Sequence, residues 1–145
     1  MQRVFVLNGP NLNWLGKRRQ GIYPDLSYSE LEAFIAAQAE ELSLDAVIMQ
    51  TNHEGEAIDF IQRCHDCRAG VCNLGAWTHY NYSLRDALLD FAKPIVEVHM
   101  SHVFNRELFR QRSVIADVAY GLVSGFGIAS YTYALMAVKN NLQSH

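Results

Sequence analysis

Five short apolar runs alternate along the chain with longer segments in which apolar residues recur at helical spacing. The runs predict β-strands, and the helical spacing predicts amphipathic helices that each bury one face. We predict strands at residues 3–8, 44–50, 70–74, 95–99 and 118–123. Strands that alternate with helices in this way form crossover units, which predicts an α/β fold with a five-stranded parallel sheet.

The clearest helix start is at Ser27, because Glu30 follows it at the spacing of a capping box. The apolar positions behind it predict a first helix over about 28–43. The same periodicity predicts three more helices, at residues 58–65, 83–91 and 128–142. Pro94 ends the connection before the fourth strand, and Gly125 and Gly127 separate the fifth apolar run from the last helix.

The connection after the first strand is much longer than the few residues that usually join a strand to a helix. Counted from Asn8 at the end of the strand, it contains three asparagines, three consecutive cations and Tyr23. Asparagine and histidine also follow the other early strands, at Asn52, His53, Asn73, His79 and His99. The carboxyl ends of parallel strands lie on one edge of the sheet, so we expect these polar residues to converge in a cleft there.

Length and composition are those of an ordinary globular chain, with 145 residues and 50% hydrophobic content, and we expect one domain over residues 1–145. A net charge of −3 argues against nucleic acid as a partner, which would need a basic face. We see no apolar run long enough to cross a membrane and no secretory signal pattern at the start. We therefore expect a cytoplasmic protein.

Three familiar site motifs fail on spacing. Cys64 and Cys67 form C-x-x-C, but the motif closes a helical pattern and has no second ligand pair, so we interpret these cysteines as structural and expect no metal. Six residues separate Gly9 from Gly16 where a phosphate-binding loop has four, and Asn11 stands where a dinucleotide fingerprint has its second glycine. A flavin or nucleotide binder of similar topology remains an alternative.

The first loop has a more specific pattern, N-G-P-N-L-N-x-L-G-x-R over residues 8–18, followed by Tyr23. It resembles the start of the type II 3-dehydroquinate dehydratases, and the resemblance continues in order through residues 52–56, 73–79, 84–88, 94–99 and 106–110. It implies a flavodoxin-like fold of three layers and no cofactor. The implied reaction is dehydration of 3-dehydroquinate to 3-dehydroshikimate through an enolate, in the shikimate pathway to aromatic amino acids or in quinate catabolism.

By this resemblance, Tyr23 is the catalytic base, His99 is the general acid and Arg18 stabilises the transition state. A free tyrosine has a pKa near ~10, so it needs a neighbouring cation such as Arg18 to act as a base. Asn11 is expected to stabilise the enolate, and Glu97 to orient His99. The positions that match substrate-binding residues are Asn73, His79, Asp86, Met100, Ser101 and Arg110.

The resemblance also implies a homo-oligomer, a dodecamer built of trimers, in which Asp86 reaches the site of a neighbouring subunit. The chain departs from the family pattern at Arg19 and Gln20, where an acidic residue and a proline are usual, and at Pro24, where glycine is usual. His102 replaces the usual asparagine. We predict that these departures alter loop closure and affinity and leave the reaction unchanged.

Overall fold

The computed structural model describes residues 1–19 and 21–144, and therefore not Gln20. Its strands are β1 Gln2–Asn8, β2 Leu44–Gln50, β3 Ala69–Asn73, β4 Ile95–His99 and β5 Gly121–Ser124. Its helices are α1 Tyr28–Glu41, α2 Glu54–Arg63, α3 Tyr82–Phe91 and α4 Ala129–Ser144. All strand pairs are parallel, in the order β2-β1-β3-β4-β5. This is the flavodoxin-like order, and the predicted fold class is confirmed.

β1 shows why the fold has three layers. Its side chains alternate between the two faces of the sheet, and all four central residues are fully buried. Val4 and Val6 pack on one face with α1 and α4, while Phe5 and Leu7 pack on the other face with α2 and α3. Both faces of the sheet are therefore covered by helices, and its carboxyl edge is left for a binding site.

The predicted helix start at Ser27 is confirmed in detail. The Ser27 hydroxyl accepts a hydrogen bond of 3.1 Å from the backbone N–H of Glu30, and the Glu30 carboxylate accepts one of 3.3 Å from the backbone N–H of Ser27. Asn81 caps α3 in a similar way, with its side-chain oxygen accepting from the backbone N–H of Leu84 at 2.9 Å. These caps satisfy backbone donors that would otherwise lack partners at a helix start.

The predicted fifth strand was wrong in its boundaries. Residues 118–120 lie in a turn, in which the backbone N–H groups of Val118 and Ala119 both donate to the carbonyl of Ile115. Those donors are consumed within the turn and cannot pair with β4. Pairing begins when the N–H of Tyr120 reaches the carbonyl of Ile95, and the strand proper runs from Gly121 to Ser124.

Gly70 allows β3 to pack beneath an aromatic cluster. A Cβ atom added there would clash with the ring of Phe5, which itself makes edge contacts with Phe60 and Phe91. We expect Gly70→Ala to lower the free energy of unfolding by about 1 to 3 kcal/mol, the usual range for overpacking a core. Urea denaturation measures this change.

Gly55 provides the matched control, because a Cβ atom there would have no neighbour within 4 Å. It lies in α2 without a positive φ angle, so Gly55→Ala is expected to leave stability unchanged or to raise it slightly. Equal unfolding midpoints for the two variants would contradict the packing explanation for Gly70.

Candidate active site

A cleft lies at the carboxyl ends of β1, β3 and β4, the edge at which open parallel sheets bind ligands. Its volume is about 230 Å³. It brings together every site residue selected from the sequence except Glu97 and Asp86, namely Asn11, Arg18, Tyr23, Asn73, His79, His99, Met100, Ser101 and Arg110. The long first loop and the segment after β4 thus meet across the ends of the sheet, as the sequence pattern predicts.

The phenol of Tyr23 contacts two guanidinium groups. Nη2 of Arg106 donates a hydrogen bond of 2.9 Å to the phenol oxygen, and Cζ of Arg18 lies 3.5 Å from the centre of the aromatic ring. Burial alone raises the pKa of Tyr23, but the hydrogen bond from Arg106 and the charges of Arg18, Arg106 and Arg110 lower it below its usual value overall. The surroundings therefore favour the phenolate, which is the form of tyrosine that can act as a base.

Arg106 is the residue that the sequence reasoning missed. Its side chain is only 9% exposed, and its Nη1 donates to the Ser101 hydroxyl at 2.9 Å while Nη2 reaches Tyr23. It lies in the segment between β4 and β5, where no strand or helix periodicity assigns a direction to each side chain. The only available signal was its place at the start of the block at residues 106–110, which ends with a residue already selected, Arg110.

Four arginines, Arg18, Arg19, Arg106 and Arg110, line the cleft, although the chain as a whole has a net charge of −3. Among residues 1–19 and 21–144, no aspartate, glutamate or lysine belongs to its lining. Positive charge concentrated in a concave site attracts and holds anions. The cleft is therefore suited to a small anionic ligand such as a carboxylate.

His99 ends β4, and its ring lies against the side chain of Glu97 two residues earlier on the same face of the strand. Nε2 of His99 and Oε2 of Glu97 are 2.6 Å apart, and both side chains are almost fully buried. An ionised carboxylate only accepts hydrogen bonds, so this contact places a proton on Nε2. Nδ1 is then the ring nitrogen that is left to exchange a proton with a ligand.

In His79 the other ring nitrogen, Nδ1, carries the proton. Its Nδ1 lies 2.7 Å from the carbonyl oxygen of Arg112, which can only accept, so Nδ1 carries the proton. Burial, partly opposed by this hydrogen bond, lowers the pKa of the ring and favours its neutral form. Nε2 of neutral His79 is consequently an acceptor. The two imidazoles are nearly parallel, with ring centres 6.5 Å apart.

Asn73 lines the cleft but is also tied into a buried network. Its amide nitrogen donates to the phenol oxygen of Tyr131 at 2.8 Å, and that phenol donates in turn to Oδ1 of Asn8 at 2.6 Å. The backbone N–H of Gly75 donates to Oδ1 of Asn73. Tyr131 comes from α4 and is fully buried, so the last helix fixes the orientation of this strand-end amide.

Asn11 adopts a left-handed backbone conformation with a φ angle of 70°. Its backbone N–H donates to Oδ1 of Asn52 at 2.9 Å, and Gln50 also donates to this Asn52 oxygen. The strand-end residue Asn52 therefore supports the first loop from behind and does not line the cleft. His53, which we expected to join the polar cleft, is exposed at the start of α2 and lies outside it.

The remaining selected residues differ in how they are placed. Met100 and Ser101 follow His99 directly and line the cleft with Arg110, whose guanidinium is paired with Glu107 at 3.1 Å. Asp86 is exposed on α3 and is not part of the lining within this chain. Its neighbour Arg85 pairs instead with Asp117.

The structure locates three of the residues at which the chain departs from the family pattern, namely Arg19, Pro24 and His102. Arg19 is exposed at the rim of the cleft, whereas Gln20 lies outside the described residues. Pro24 and His102 line an adjoining groove, in which a Cβ atom added at Gly125 would lie 3.1 Å from the Cβ of His102. This groove shares Met100, Ser101 and Arg106 with the cleft, whereas Pro24 and His102 do not line the cleft itself.

Within residues 1–19 and 21–144, no three histidine, cysteine, aspartate or glutamate side chains converge as metal ligands would. The three cysteines are free and buried, and burial raises the pKa of Cys67 to about 12, as expected for structural thiols. No helix in this part of the chain has the length and apolar character needed to span a membrane.

Comparisons with known proteins agree on one family. The family model described as "Dehydroquinase class II" matches residues 2–139. A 3-dehydroquinate dehydratase from Dictyoglomus turgidum is 50% identical over 139 residues, which cover 95% of this chain and 96% of that protein. The crystal structure of a type II dehydroquinase from Butyrivibrio crossotus superposes with a TM-score of 0.91 at 38% identity, covering 96% of this chain and 97% of that one. A type II dehydroquinase from Propionibacterium acnes gives 0.92 at 36% identity, with 97% of both chains covered.

Proposed function

Because the chain belongs to the class II dehydroquinase family, we propose that it dehydrates 3-dehydroquinate to 3-dehydroshikimate in the shikimate pathway. The observation that carries this proposal is the Tyr23 phenol held by Arg106 and Arg18 in a cleft that is also lined by His99, whose ring is paired with the buried Glu97. The cleft thus has a base and an acid for the two proton transfers that the reaction needs.

In the first step, the Tyr23 phenolate removes a proton from the carbon next to the substrate ketone. The electrons of the broken C–H bond form an enolate, whose oxygen Asn11 stabilises directly or through a water molecule. In the second step, the enolate oxygen re-forms the C=O bond. The electron pair of the enolate C=C bond then forms the new carbon–carbon double bond while the hydroxyl group leaves. His99, in the imidazolium form that carries a proton on both ring nitrogens, donates the Nδ1 proton that converts this hydroxyl into water, and Glu97 holds the ring in place.

Substrate binding follows from the charge and hydrogen-bonding groups of the cleft. Arg110 and the backbone of Met100 and Ser101 offer donors to the carboxylate of the substrate. Asn73 and neutral His79 offer a fixed amide and an acceptor nitrogen to its hydroxyl groups. The support for these assignments is that all five residues line the same cleft.

The direct test is to supply 3-dehydroquinate and to follow the ultraviolet absorbance of the conjugated product. The alternative from another class is a flavodoxin-like module that binds a flavin or a phosphorylated ligand without reaction. Such a module would be purified as a yellow protein or would bind the phosphorylated ligand, and it would give no product absorbance. Folded protein that produces no signal from 3-dehydroquinate would overturn the proposal.

Arg18 and Arg19 provide a test of which arginine in the first loop acts on Tyr23. Arg18 stacks on the Tyr23 ring, whereas Arg19 is exposed at the rim. We expect Arg18→Gln to lower kcat by about 10²-fold or more, because it removes a charge that favours the phenolate. Arg19→Gln is expected to change mainly KM. Steady-state kinetics of the two variants measure both effects.

The two substitutions remove the same group from neighbouring positions, so each serves as the control for the other. A larger loss of kcat in Arg19→Gln than in Arg18→Gln would show that the wrong arginine has been assigned to the site.

We further propose that the chain assembles into a dodecamer built of trimers. This proposal rests on the family resemblance and is supported by an apolar groove beside the edge strand β5, lined by exposed side chains that include Phe104, Leu122, Phe126 and Tyr133. In such an assembly Asp86, which is remote from the cleft of its own chain, would reach the cleft of a neighbouring copy. Light scattering would give the mass of twelve chains if the proposal is correct and a smaller mass if it is not.

The proposal also includes one domain over residues 1–145 and a cytoplasmic location. One continuous sheet and a family match over residues 2–139 support the first. The three free thiols are in keeping with the reducing conditions of the second. A role in quinate catabolism is the alternative to aromatic biosynthesis. Restored growth of a shikimate-pathway mutant without aromatic supplements would support the biosynthetic role.

A further inference from the structure

Ser113 connects a distant part of the chain to the buried acid pair. Its hydroxyl donates a hydrogen bond of 2.7 Å to Oε1 of Glu97, and the other oxygen of this carboxylate lies 2.6 Å from Nε2 of His99. The three side chains therefore form a continuous series from the segment after β4 to the ring that would donate the proton. The comparisons and the sequence patterns assign no role to Ser113.

The hydrogen bond from Ser113 to Glu97 matters because the Glu97 carboxylate is buried. The Glu97 side chain is 1% exposed, so its oxygens cannot exchange a lost partner for bulk water without rearrangement. A carboxylate with one oxygen on His99 and the other on Ser113 is held at both ends, which fixes its plane and the direction in which it meets the ring. Without Ser113 it would have one fixed end and could rotate.

The residue before Ser113 acts on the second histidine. The carbonyl of Arg112 accepts the hydrogen bond from Nδ1 of His79, and the two imidazole rings are parallel to within 10°. One dipeptide, Arg112–Ser113, thus anchors both rings, one through its backbone and one through Glu97. Two anchors on adjacent residues keep the relative position of the two rings constant.

We propose that Ser113 is a positioning residue for His99, acting through Glu97, in the dehydration reaction; this inference rests on the proposed function. Ser113 touches no reacting atom in this proposal. It keeps the carboxylate aligned so that Nε2 of His99 stays protonated and Nδ1 remains the nitrogen that transfers the proton. The other titratable groups around the pair are Cys72, which lies opposite Glu97 on β3, together with His79 and the cleft arginines.

A purely structural role is the competing explanation, because the Ser113 oxygen also accepts hydrogen bonds from the backbone N–H groups of Ile115 and Ala116. These contacts shape the turn that precedes β5. The test must therefore separate the bond that Ser113 donates from the bonds that it accepts. Ser27 supplies the matched control, since its hydroxyl also accepts from a backbone N–H, at the start of α1, but has no contact with Glu97.

The experiment compares kcat, KM and the pH dependence of kcat in the wild type, Ser113→Ala, Ser113→Thr and Ser27→Ala. We expect Ser113→Ala to lower kcat roughly tenfold with KM within roughly twofold, because ring alignment matters most in the transition state. The loss of this donor changes the position and the charge distribution of the carboxylate that faces His99, so the pH dependence of kcat should also change in Ser113→Ala. Ser113→Thr keeps the hydroxyl and should restore both values.

A double-mutant cycle with Glu97→Gln shows whether the effect passes through the carboxylate. If Ser113 acts through Glu97, adding Ser113→Ala to the Glu97→Gln variant should cost little further kcat. Full additivity of the two effects would overturn the proposal. It would equally be overturned if Ser113→Ala and Ser27→Ala both lost thermal stability and kept the kcat and pH profile of the wild type.

A second readout does not depend on turnover. The nitrogen NMR shifts of the His99 ring report which nitrogen carries the proton, and their pH dependence should differ between the wild type and Ser113→Ala. Unchanged His99 titration in this variant would overturn the inference about Ser113. Absence of dehydratase activity in the wild type would instead overturn the proposed function, so the two failures are distinguishable.

Discussion

Replacing Tyr23 with phenylalanine is expected to lower kcat by about 10³-fold, within the range that general base catalysis supplies. The substitution removes only the phenol oxygen. That oxygen accepts the hydrogen bond from Arg106, and it is the sole atom of this side chain that can take a proton. The ring remains, so stacking with Arg18 and the packing of the loop should persist. Steady-state kinetics with 3-dehydroquinate measure the loss.

Tyr120→Phe is the matched control for this substitution. Tyr120 is exposed in the turn before β5 and lies outside the cleft, so its phenol can be removed without affecting the proposed chemistry. We expect wild-type kcat from Tyr120→Phe and an unchanged far-ultraviolet spectrum from both variants. Substantial turnover by a folded Tyr23→Phe variant would exclude Tyr23 as the base.

Replacing Arg106 with glutamine is expected to lower kcat at neutral pH by about 10²-fold and to move the acid limb of the pH profile to higher pH. Tyr23 must lose its proton before it can act as a base. Arg106 lowers the pKa of Tyr23 through a hydrogen bond and a positive charge, so removing Arg106 raises this pKa. The phenolate then forms only at higher pH, and raising the pH should recover part of the lost activity.

Two further variants make this prediction specific. Arg106→Lys keeps the charge but loses the guanidinium geometry that reaches both Tyr23 and Ser101. Its acid limb should therefore move to higher pH by less than that of Arg106→Gln. Arg68→Gln removes an exposed arginine outside the cleft and should behave as the wild type. An Arg106→Gln profile with its acid limb at the wild-type pH would mean that Arg106 does not control the ionisation of Tyr23.

Local rules predict the parts of the fold that depend on neighbouring residues. Ser27 and Glu30 identify the start of α1 because a capping box is completed within one turn. β2 and β4 are predicted to the residue, since their apolar runs end at polar residues. The fifth strand fails because Val118 and Ala119 are apolar for packing but have their N–H groups occupied in a turn.

In the candidate site, too, the order of the elements places the residues within regular elements but not those in irregular segments. Residues at strand ends, such as Asn73 and His99, can be placed on one edge from the order of the elements alone. Arg106 could not be placed in this way, because its contact with Tyr23 joins residues 83 positions apart and depends on the path of an irregular segment. The proposed role of Asp86 requires a neighbouring copy of the chain, which the fold of one chain does not reveal.

The most direct test concerns the ionisation of Tyr23 itself. Tyrosinate absorbs in the ultraviolet where protonated tyrosine does not, so the pH titration of the wild type minus that of Tyr23→Phe isolates this one phenol. We predict that the difference signal develops below pH ~10, the value for an unperturbed tyrosine. A difference signal that develops only near or above that value would contradict the claim that Arg18 and Arg106 turn Tyr23 into a base.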